Sequence, residues 1–292
     1  MTEDLPLCSA AARDRGEPMA GSAPVALRWL LVEHPGPWSR EPLATPPLDG
    51  AAGREVGAAL AAAEARVLLI RRLGRRRSGP RSWYAVDPTA RRQVSGTWES
   101  GEDLVTAAAG LVEALAAGGD VAEPMLLVCT HGVRDTCCAV RGRPIAGVLD
   151  ALEPGAVWEC THLGGHRFAG TLLAFPEAAC YGGLDADSAA EVVRGHRAGR
   201  VPAARLRGVT TQPPAVQAAV AWLLNRHGPA GVDDVVVGAV EGGGPVTRVE
   251  LAGAGALPRR TLVEVTRREL PPAPLSCGKG PDAHAAYDVV PL

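Results

Sequence analysis

The chain has 292 residues, enough for two domains or for one domain with a long extension. Hydrophobic residues make up 47% of it and aromatic residues only 4%, so Val, Leu and Ala must fill most of any buried core. The formal net charge of −2 excludes the strong positive field of a typical nucleic-acid-binding protein. No apolar run reaches the roughly 18 residues of a membrane span, and Glu3 and Asp4 stand where a signal peptide carries positive charge. These features predict a cytoplasmic protein with neither nucleic-acid nor membrane partners.

The N-terminal half is patterned as alternating strands and helices. Short apolar runs bounded by Gly and Pro predict buried strands, and Ala-rich stretches predict helices. In chain order the predictions are an apolar run at 25–32, a loop at 34–38, a helix at 54–64, a strand at 67–70, a basic loop at 71–81, strands at 83–86 and 93–98, and a helix at 104–117.

A similar order of elements then recurs without obvious residue identity. The predictions continue with a strand at 125–128, a short helix at 144–152, strands at 157–160, 168–175 and 180–184, a helix at 187–196, a helix at 214–226, and strands at 235–240, 246–251 and 262–265. The order predicts an α/β protein with a thioredoxin-like domain preceded by a second α/β domain, which is a degenerate thioredoxin-like unit on this interpretation. A C-terminal helix and antiparallel strands follow. We place the domains at residues 1–120, 121–204 and 205–292.

Two cysteines and two histidines form the pattern that most needs a chemical explanation. Cys129 and His162 each follow a predicted strand, and open α/β sheets place their sites beyond the carboxyl ends of strands. Cys138 and His166 complete a set of two thiolates and two imidazoles. Such a set suffices for a zinc ion or for a [2Fe–2S] cluster with mixed Cys/His ligation.

Gly164 and Gly165, between the two histidines, favour a loop over a helix. They remove side chains that would crowd a metal centre and permit backbone angles that let both imidazoles turn inward. The residues alone leave a structural zinc site and an iron–sulfur cluster both open. A third possibility is thiol redox chemistry at Cys137, Cys138 or Cys160, which is weakened because no C-x-x-C motif occurs at the expected strand–helix junction.

Two segments carry a resemblance to a known family, CTHGVRDTCCA at 129–139 and WECTHLGGHRFA at 158–169. Together with YG at 181–182, HRAGR at 196–200 and PP at 213–214, they resemble the sucrase/ferredoxin-like family from about residue 25 to the end of the chain. The resemblance implies a bipartite protein whose second part is a thioredoxin-like ferredoxin. It implies a [2Fe–2S] cluster held by Cys129, Cys138, His162 and His166.

The remaining cysteines include two further candidate thiols for the site. Cys137 and Cys160 depart from the family pattern, and either thiol is close enough in sequence to line the site or to replace a predicted ligand. Cys8 and Cys277 lie in polar or Pro/Gly-rich terminal stretches, and the sequence assigns them no role.

Charged residues surround the predicted ligands. Arg134 and Arg167 are candidates to hydrogen-bond cluster sulfur or to dock an acidic redox partner. The alternative is that they are solvated charges paired with Asp135 or Glu159.

A [2Fe–2S] cluster held by two cysteines and two histidines favours an electron carrier over an enzyme. Neutral imidazoles leave less negative charge around a cluster than thiolates do, so the reduction potential should lie above that of an all-cysteine ferredoxin and depend on pH. The sequence names neither the electron donor nor the acceptor. Sucrase activity is not supported, because glycoside hydrolysis needs two opposed carboxylates and no paired acidic motif stands out.

Overall fold

The computed structural model describes residues 7–74 and 80–292 of the chain. Residues 75–77, the centre of the predicted basic loop, lie outside the described residues. Seven α-helices lie in the described part of the chain: α1 (Cys8–Asp14), α2 (Ala51–Ala62), α3 (Gly101–Ala109), α4 (Leu111–Ala116), α5 (Thr136–Leu152), α6 (Ala186–Arg197) and α7 (Pro214–His227).

The described residues also form fourteen β-strands. They are β1 (Arg28–Glu33), β2 (Ala65–Arg71), β3 (Arg81–Asp87), β4 (Arg92–Trp98), β5 (Asp120–Val121), β6 (Met125–Cys129), β7 (Val157–Cys160), β8 (Leu172–Phe175), β9 (Ala179–Tyr181), β10 (Leu206–Val209), β11 (Val235–Gly243), β12 (Val246–Gly253), β13 (Thr261–Pro274) and β14 (Pro281–Pro291). The predicted α/β class, with antiparallel strands at the C-terminus, is confirmed.

Several elements differ from their predicted bounds. The helix predicted at 104–117 is two helices, because Gly110 ends α3 and precedes α4. The helix predicted at 144–152 is only the second half of α5, so the expectation that Pro144 opens a helix is wrong. The strand predicted at 168–175 is confined to β8, and β14 occupies a stretch where the sequence predicts no strand.

The chain divides into two compact units, which are described separately. The N-terminal unit comprises Ala26–Leu163 and Leu173–Ala178, and the C-terminal unit comprises the residues up to Val25, Gly164–Leu172 and Ala179–Leu292. The division into domains at 1–120, 121–204 and 205–292 stays a prediction.

The N-terminal unit is built on a mixed sheet. Its strands lie in the order β8-β6-β7-β2-β1-β3-β4-β5. The pairs β1–β2 and β6–β7 are parallel, whereas β2–β7, β1–β3, β3–β4 and β4–β5 are antiparallel. Leu, Val and Ala supply most of its core, as the composition predicts, and Trp29, Trp98 and Trp158 are its largest fully buried side chains.

The C-terminal unit contains a strand pair and a separate sheet. Strands β9 and β10 are antiparallel, and β11-β12-β13-β14 form a four-stranded antiparallel sheet. Helix α7 packs on β12, β13 and β14 and buries most of its apolar side chains. No helix in the described residues combines the length and apolar composition needed to cross a bilayer.

Candidate metal centre

Three of the four predicted ligands meet in the N-terminal unit. Cys129 Sγ, Cys138 Sγ and a ring nitrogen of His162 all lie within 4.8 Å of one another. The distance from Cys138 Sγ to His162 Nδ1 is 3.7 Å. Both cysteines are buried and His162 is half-buried, so the donors are close together and largely shielded from water.

The sheet topology places Cys129 and His162 at one edge. Strands β6 and β7 run parallel, with Cys129 in register with Cys160, so their carboxyl ends lie side by side. The backbone N–H of Thr130 continues this pairing with a 3.2 Å hydrogen bond to the Cys160 carbonyl. Thr161 fixes the start of the next loop, because its Oγ1 accepts a 3.0 Å hydrogen bond from the N–H of Leu69. The site therefore occupies the edge of the sheet that its topology favours.

Helix α5 brings the third donor to this edge. Asp135 is its N-cap, with a side-chain oxygen that accepts a 3.0 Å hydrogen bond from the Cys137 N–H. The helix therefore begins at Thr136, which places Cys138 in its first turn and not in the loop that precedes it. Gly142, one turn further, lets the helix lie against the strand end, since a Cβ there would stand 2.0 Å from the Cys129 carbonyl oxygen.

The hydrogen bond between the two thiols shifts their pKa values in opposite directions. The pKa of Cys129 is held well below its usual value, first by a hydrogen bond from the Cys138 thiol and then by His162, although burial opposes this. The pKa of Cys138 is raised, because its proton is donated to Cys129 and because the thiol is buried. A metal ion at this site would bind both sulfurs as thiolates, so its binding would release the protons they carry.

His131 is a buried neighbour of these predicted ligands, and the sequence analysis gives it no role. Its Nε2 lies 3.0 Å from the Ser39 carbonyl oxygen, and its ring meets Trp38 edge-on at 5.8 Å between centroids. Burial lowers the pKa of His131, which favours the neutral imidazole, although the charge of Cys129 acts in the opposite direction. The signal in the sequence is its position, two residues beyond Cys129 in the same ligand loop.

A cavity of about 370 Å³ reaches His162, the half-buried predicted ligand. Its cationic lining comes from Arg40, Arg66 and Arg134, and most of the remaining lining residues are apolar. Arg134 forms an ion pair with Glu41, and Arg40 donates a 3.1 Å hydrogen bond to the Arg134 carbonyl. Three guanidinium groups and one carboxylate leave the lining with an excess of positive charge.

His166, the fourth predicted ligand, belongs to the C-terminal unit. Its Nε2 lies 2.6 Å from Ser276 Oγ. The loop before it contains Gly164 and Gly165, whose φ angles of +76° and +62° agree with the conformational freedom expected of this pair. Arg207, which the sequence reading passes over, is 1% exposed and donates a 3.0 Å hydrogen bond to the Gly164 carbonyl.

The other predicted site residues are placed as follows. Cys137 is buried in the first turn of α5, and Cys160 is buried at the end of β7; among the described residues neither belongs to the group formed by Cys129, Cys138 and His162. Arg167, in the C-terminal unit, makes a 2.5 Å ion pair with Glu17 and lies 4.5 Å from the Phe168 ring centroid. The carboxylate partner of Arg167 is therefore Glu17, and not Asp135 or Glu159 as the sequence suggested.

A model of the sucrase/ferredoxin-like family matches residues 19–208. The chain belongs to this family. The matched range of this sucrase/ferredoxin-like chain includes all four predicted ligands but stops before α7 and the four-stranded sheet. Neither a curated protein nor a solved structure matches the chain.

Proposed function

We propose that this sucrase/ferredoxin-like protein binds a [2Fe–2S] cluster through Cys129, Cys138, His162 and His166 and carries single electrons. The observation that supports this most directly is the convergence of two buried thiol sulfurs and one imidazole nitrogen within 4.8 Å. Thiolate and imidazole are the donors used in mixed-ligation [2Fe–2S] centres. The fourth donor, His166, is implied by the resemblance of its segment to the family, and it lies within the matched residues.

The chain's own residues suit such a centre. A bound cluster would supply one-electron redox chemistry, and imidazole ligands place its potential above that of an all-cysteine site. Helix α5 and strand β6 keep both sulfurs away from bulk water, while His162 lines the open cavity. A proton on a ligand imidazole would stabilise the reduced state, so the potential should fall as pH rises. A potential that stays flat from pH 6 to 10 would argue against this proton coupling.

A zinc site is the second candidate, favoured by the closeness of the donors. A thiolate sulfur and an imidazole nitrogen bound tetrahedrally to one zinc ion, at about 2.3 Å and about 2.0 Å, lie about 3.5 Å apart. The 3.7 Å between Cys138 Sγ and His162 Nδ1 is similar to that separation. The three donors in the N-terminal unit are therefore also suited to one ion, with a fourth ligand from elsewhere.

Anaerobic purification of the full chain, followed by metal analysis, separates these candidates. We expect a reddish-brown protein with about two irons per chain and an electron paramagnetic resonance signal after reduction. Cys129→Ser and Cys138→Ser should each lose most of the iron, whereas Cys137→Ser, a neighbouring buried thiol in the same helical turn, should retain it. A colourless protein with one zinc per chain would refute the cluster and support the zinc site.

We also propose an acidic redox partner in the cytoplasm, docked over the cavity at His162. The supporting feature is the excess positive charge of Arg40, Arg66 and Arg134, because complementary charge raises association rates. With the anionic oxidant ferricyanide, Arg66→Glu should slow oxidation of the reduced protein and weaken its dependence on salt. With the cationic oxidant hexaammineruthenium(III), the same variant should react no more slowly than the wild type. Equal slowing with both oxidants would indicate a damaged centre and would contradict the docking proposal.

A further inference from the structure

Two cysteines from opposite ends of the chain meet inside the C-terminal unit. Cys8 is the first residue of α1, and Cys277 lies in the turn between β13 and β14. Their Sγ atoms are 3.7 Å apart, and the Cys8 N–H donates a hydrogen bond to Cys277 Sγ at 3.5 Å. Cys8 is fully buried, whereas Cys277 is partly exposed.

We propose that Cys8 and Cys277 are a redox-active thiol pair that closes reversibly to a disulfide. A disulfide bond is about 2.05 Å long, so the two sulfurs must approach by roughly 1.7 Å. The turn that carries Cys277 joins two strands and contains Gly278 at a φ angle of +70°. A short turn with a partly exposed sulfur can make this adjustment more easily than the interior of a strand or helix.

Cys277 is more exposed than Cys8, so it should react first in thiol–disulfide exchange with a small molecule. The co-reactant is a low-molecular-weight disulfide such as oxidised glutathione. The Cys277 thiolate attacks one of its sulfurs, which forms a mixed disulfide and releases the first thiolate. The Cys8 thiolate then attacks Cys277 Sγ, which forms the Cys8–Cys277 bond and releases the second thiolate. The two cysteines lose two electrons and two protons, and the small disulfide gains them as two thiols.

The Cys8–Cys277 pair is connected to the predicted ligand His166 through Ser276. Ser276 precedes Cys277 in the chain, and its Oγ lies 2.6 Å from His166 Nε2. Movement of Cys277 on disulfide formation would shift the backbone of Ser276 and so alter the hydrogen bond to His166. This consequence rests on the proposed function, whereas disulfide formation itself does not.

Thiol counting on the full chain tests the proposal. The anaerobically purified protein is equilibrated in glutathione buffers of decreasing reduced-to-oxidised ratio, quenched with acid, alkylated under denaturing conditions and analysed by mass spectrometry. We expect two fewer alkylated cysteines as oxidised glutathione rises, and a cross-linked peptide pair that contains Cys8 and Cys277. Reduced glutathione should restore both thiols. Seven alkylated cysteines at every ratio, or a cross-link between other cysteines, would overturn the proposal.

Variants separate this pair from the other thiols and from the metal centre. Cys8→Ser and Cys277→Ser should each abolish the cross-link, and Cys180→Ser, which removes another cysteine of the same unit, should leave it unchanged. If a serine variant fails to fold, the thiol count and the peptide map of the wild-type protein are sufficient to test whether the Cys8–Cys277 disulfide forms. One equivalent of zinc that is lost in both variants would instead assign these thiols to metal binding and would refute the disulfide.

The outcomes also distinguish the two proposals made for this protein. A colourless, iron-free chain that still forms the Cys8–Cys277 bond would refute only the cluster. An iron-containing chain whose Cys8 and Cys277 stay reduced would refute only the thiol pair. If both proposals hold, the electron paramagnetic resonance spectrum should differ between the dithiol and disulfide forms.

Discussion

The close approach of α5 to β6 makes Gly142 the sharpest test of how the site is assembled. A methyl group at this position would lie 2.0 Å from the Cys129 carbonyl oxygen and 3.0 Å from its carbonyl carbon. Both atoms belong to the backbone, and they cannot move aside as the end of a side chain can. Because real Cβ atoms are essentially never found within 3.0 Å of such atoms, helix and strand must separate by about 1 Å in Gly142→Ala.

Gly147 provides a matched control in the same helix. A Cβ there would meet no atom within 4 Å, so Gly147→Ala should gain about 1 kcal/mol of helix propensity without a clash. Gly142→Ala has the same propensity gain, but overpacking should cost about 1–3 kcal/mol. We therefore expect Gly142→Ala to be less stable than Gly147→Ala by about 1–3 kcal/mol.

Urea unfolding followed by tryptophan fluorescence measures this difference. The signal reports mainly on the N-terminal unit, which contains five of the six tryptophans. Metal content provides the second measurement, because the displaced helix carries Cys138 and Gly142→Ala should load less metal than Gly147→Ala. Equal urea midpoints and equal metal content in the two variants would refute the close packing of α5 on Cys129.

Three further predictions follow from other parts of the structure. His162→Cys should retain a cluster but lower its reduction potential, because a thiolate adds negative charge; redox titration against the wild type checks this, and an unchanged potential would count against ligation by His162. Arg207→Met should reduce the free energy of unfolding by about 1–3 kcal/mol, because the partly buried Gly164 carbonyl loses its donor and the buried guanidinium is removed. Urea unfolding followed by circular dichroism checks this, and a midpoint equal to the wild type would show that this hydrogen bond contributes nothing. Asp185 caps α6, and hydrogen bonds from the side chain and backbone of Ser188 hold the pKa of its carboxyl below the usual range. The folded-state pKa therefore lies below the unfolded value of about 3.9, so the stabilisation is complete above that pH and is lost as pH falls through the folded pKa. For this mostly exposed group the effect should be about 1 kcal/mol or less. The variant Asp185→Asn has an amide that caps the helix without titrating, so in acid unfolding it should lose less stability than the wild type below pH 4. Parallel curves for the two proteins would contradict the role of the Asp185 carboxylate as a titrating cap.

Local patterns were sufficient for the elements that carry the site. The apolar run that ends at Cys129 predicts β6, and a second short run predicts β7, because both strands are buried and bounded by breakers. The placement of ligands after strand ends also follows from general rules for α/β sheets. The paired glycines predict a loop before His166, and their positive φ angles agree with it.

The start of α5 shows where a local rule fails. Proline is favoured in the first turn of a helix, and Pro144 therefore suggested a start there. The competing signal is Asp135, whose carboxylate satisfies an otherwise unpaired N–H group at the true start. A cap and a proline in one stretch give conflicting local signals, and the packing of Gly142 on Cys129 favours the longer helix.

The sequence by itself determined the α/β class, the family and the donor types, since hydrophobic periodicity and a Cys/His pattern are local properties of the chain. Only the tertiary structure decided that Cys138 joins Cys129 and His162 while Cys137 and Cys160 do not, because the direction of a side chain depends on helix phase and strand register. It also brought Cys8 to Cys277, which are 269 positions apart. No local pattern encodes such a contact, because it exists only once both ends of the chain have packed into one unit.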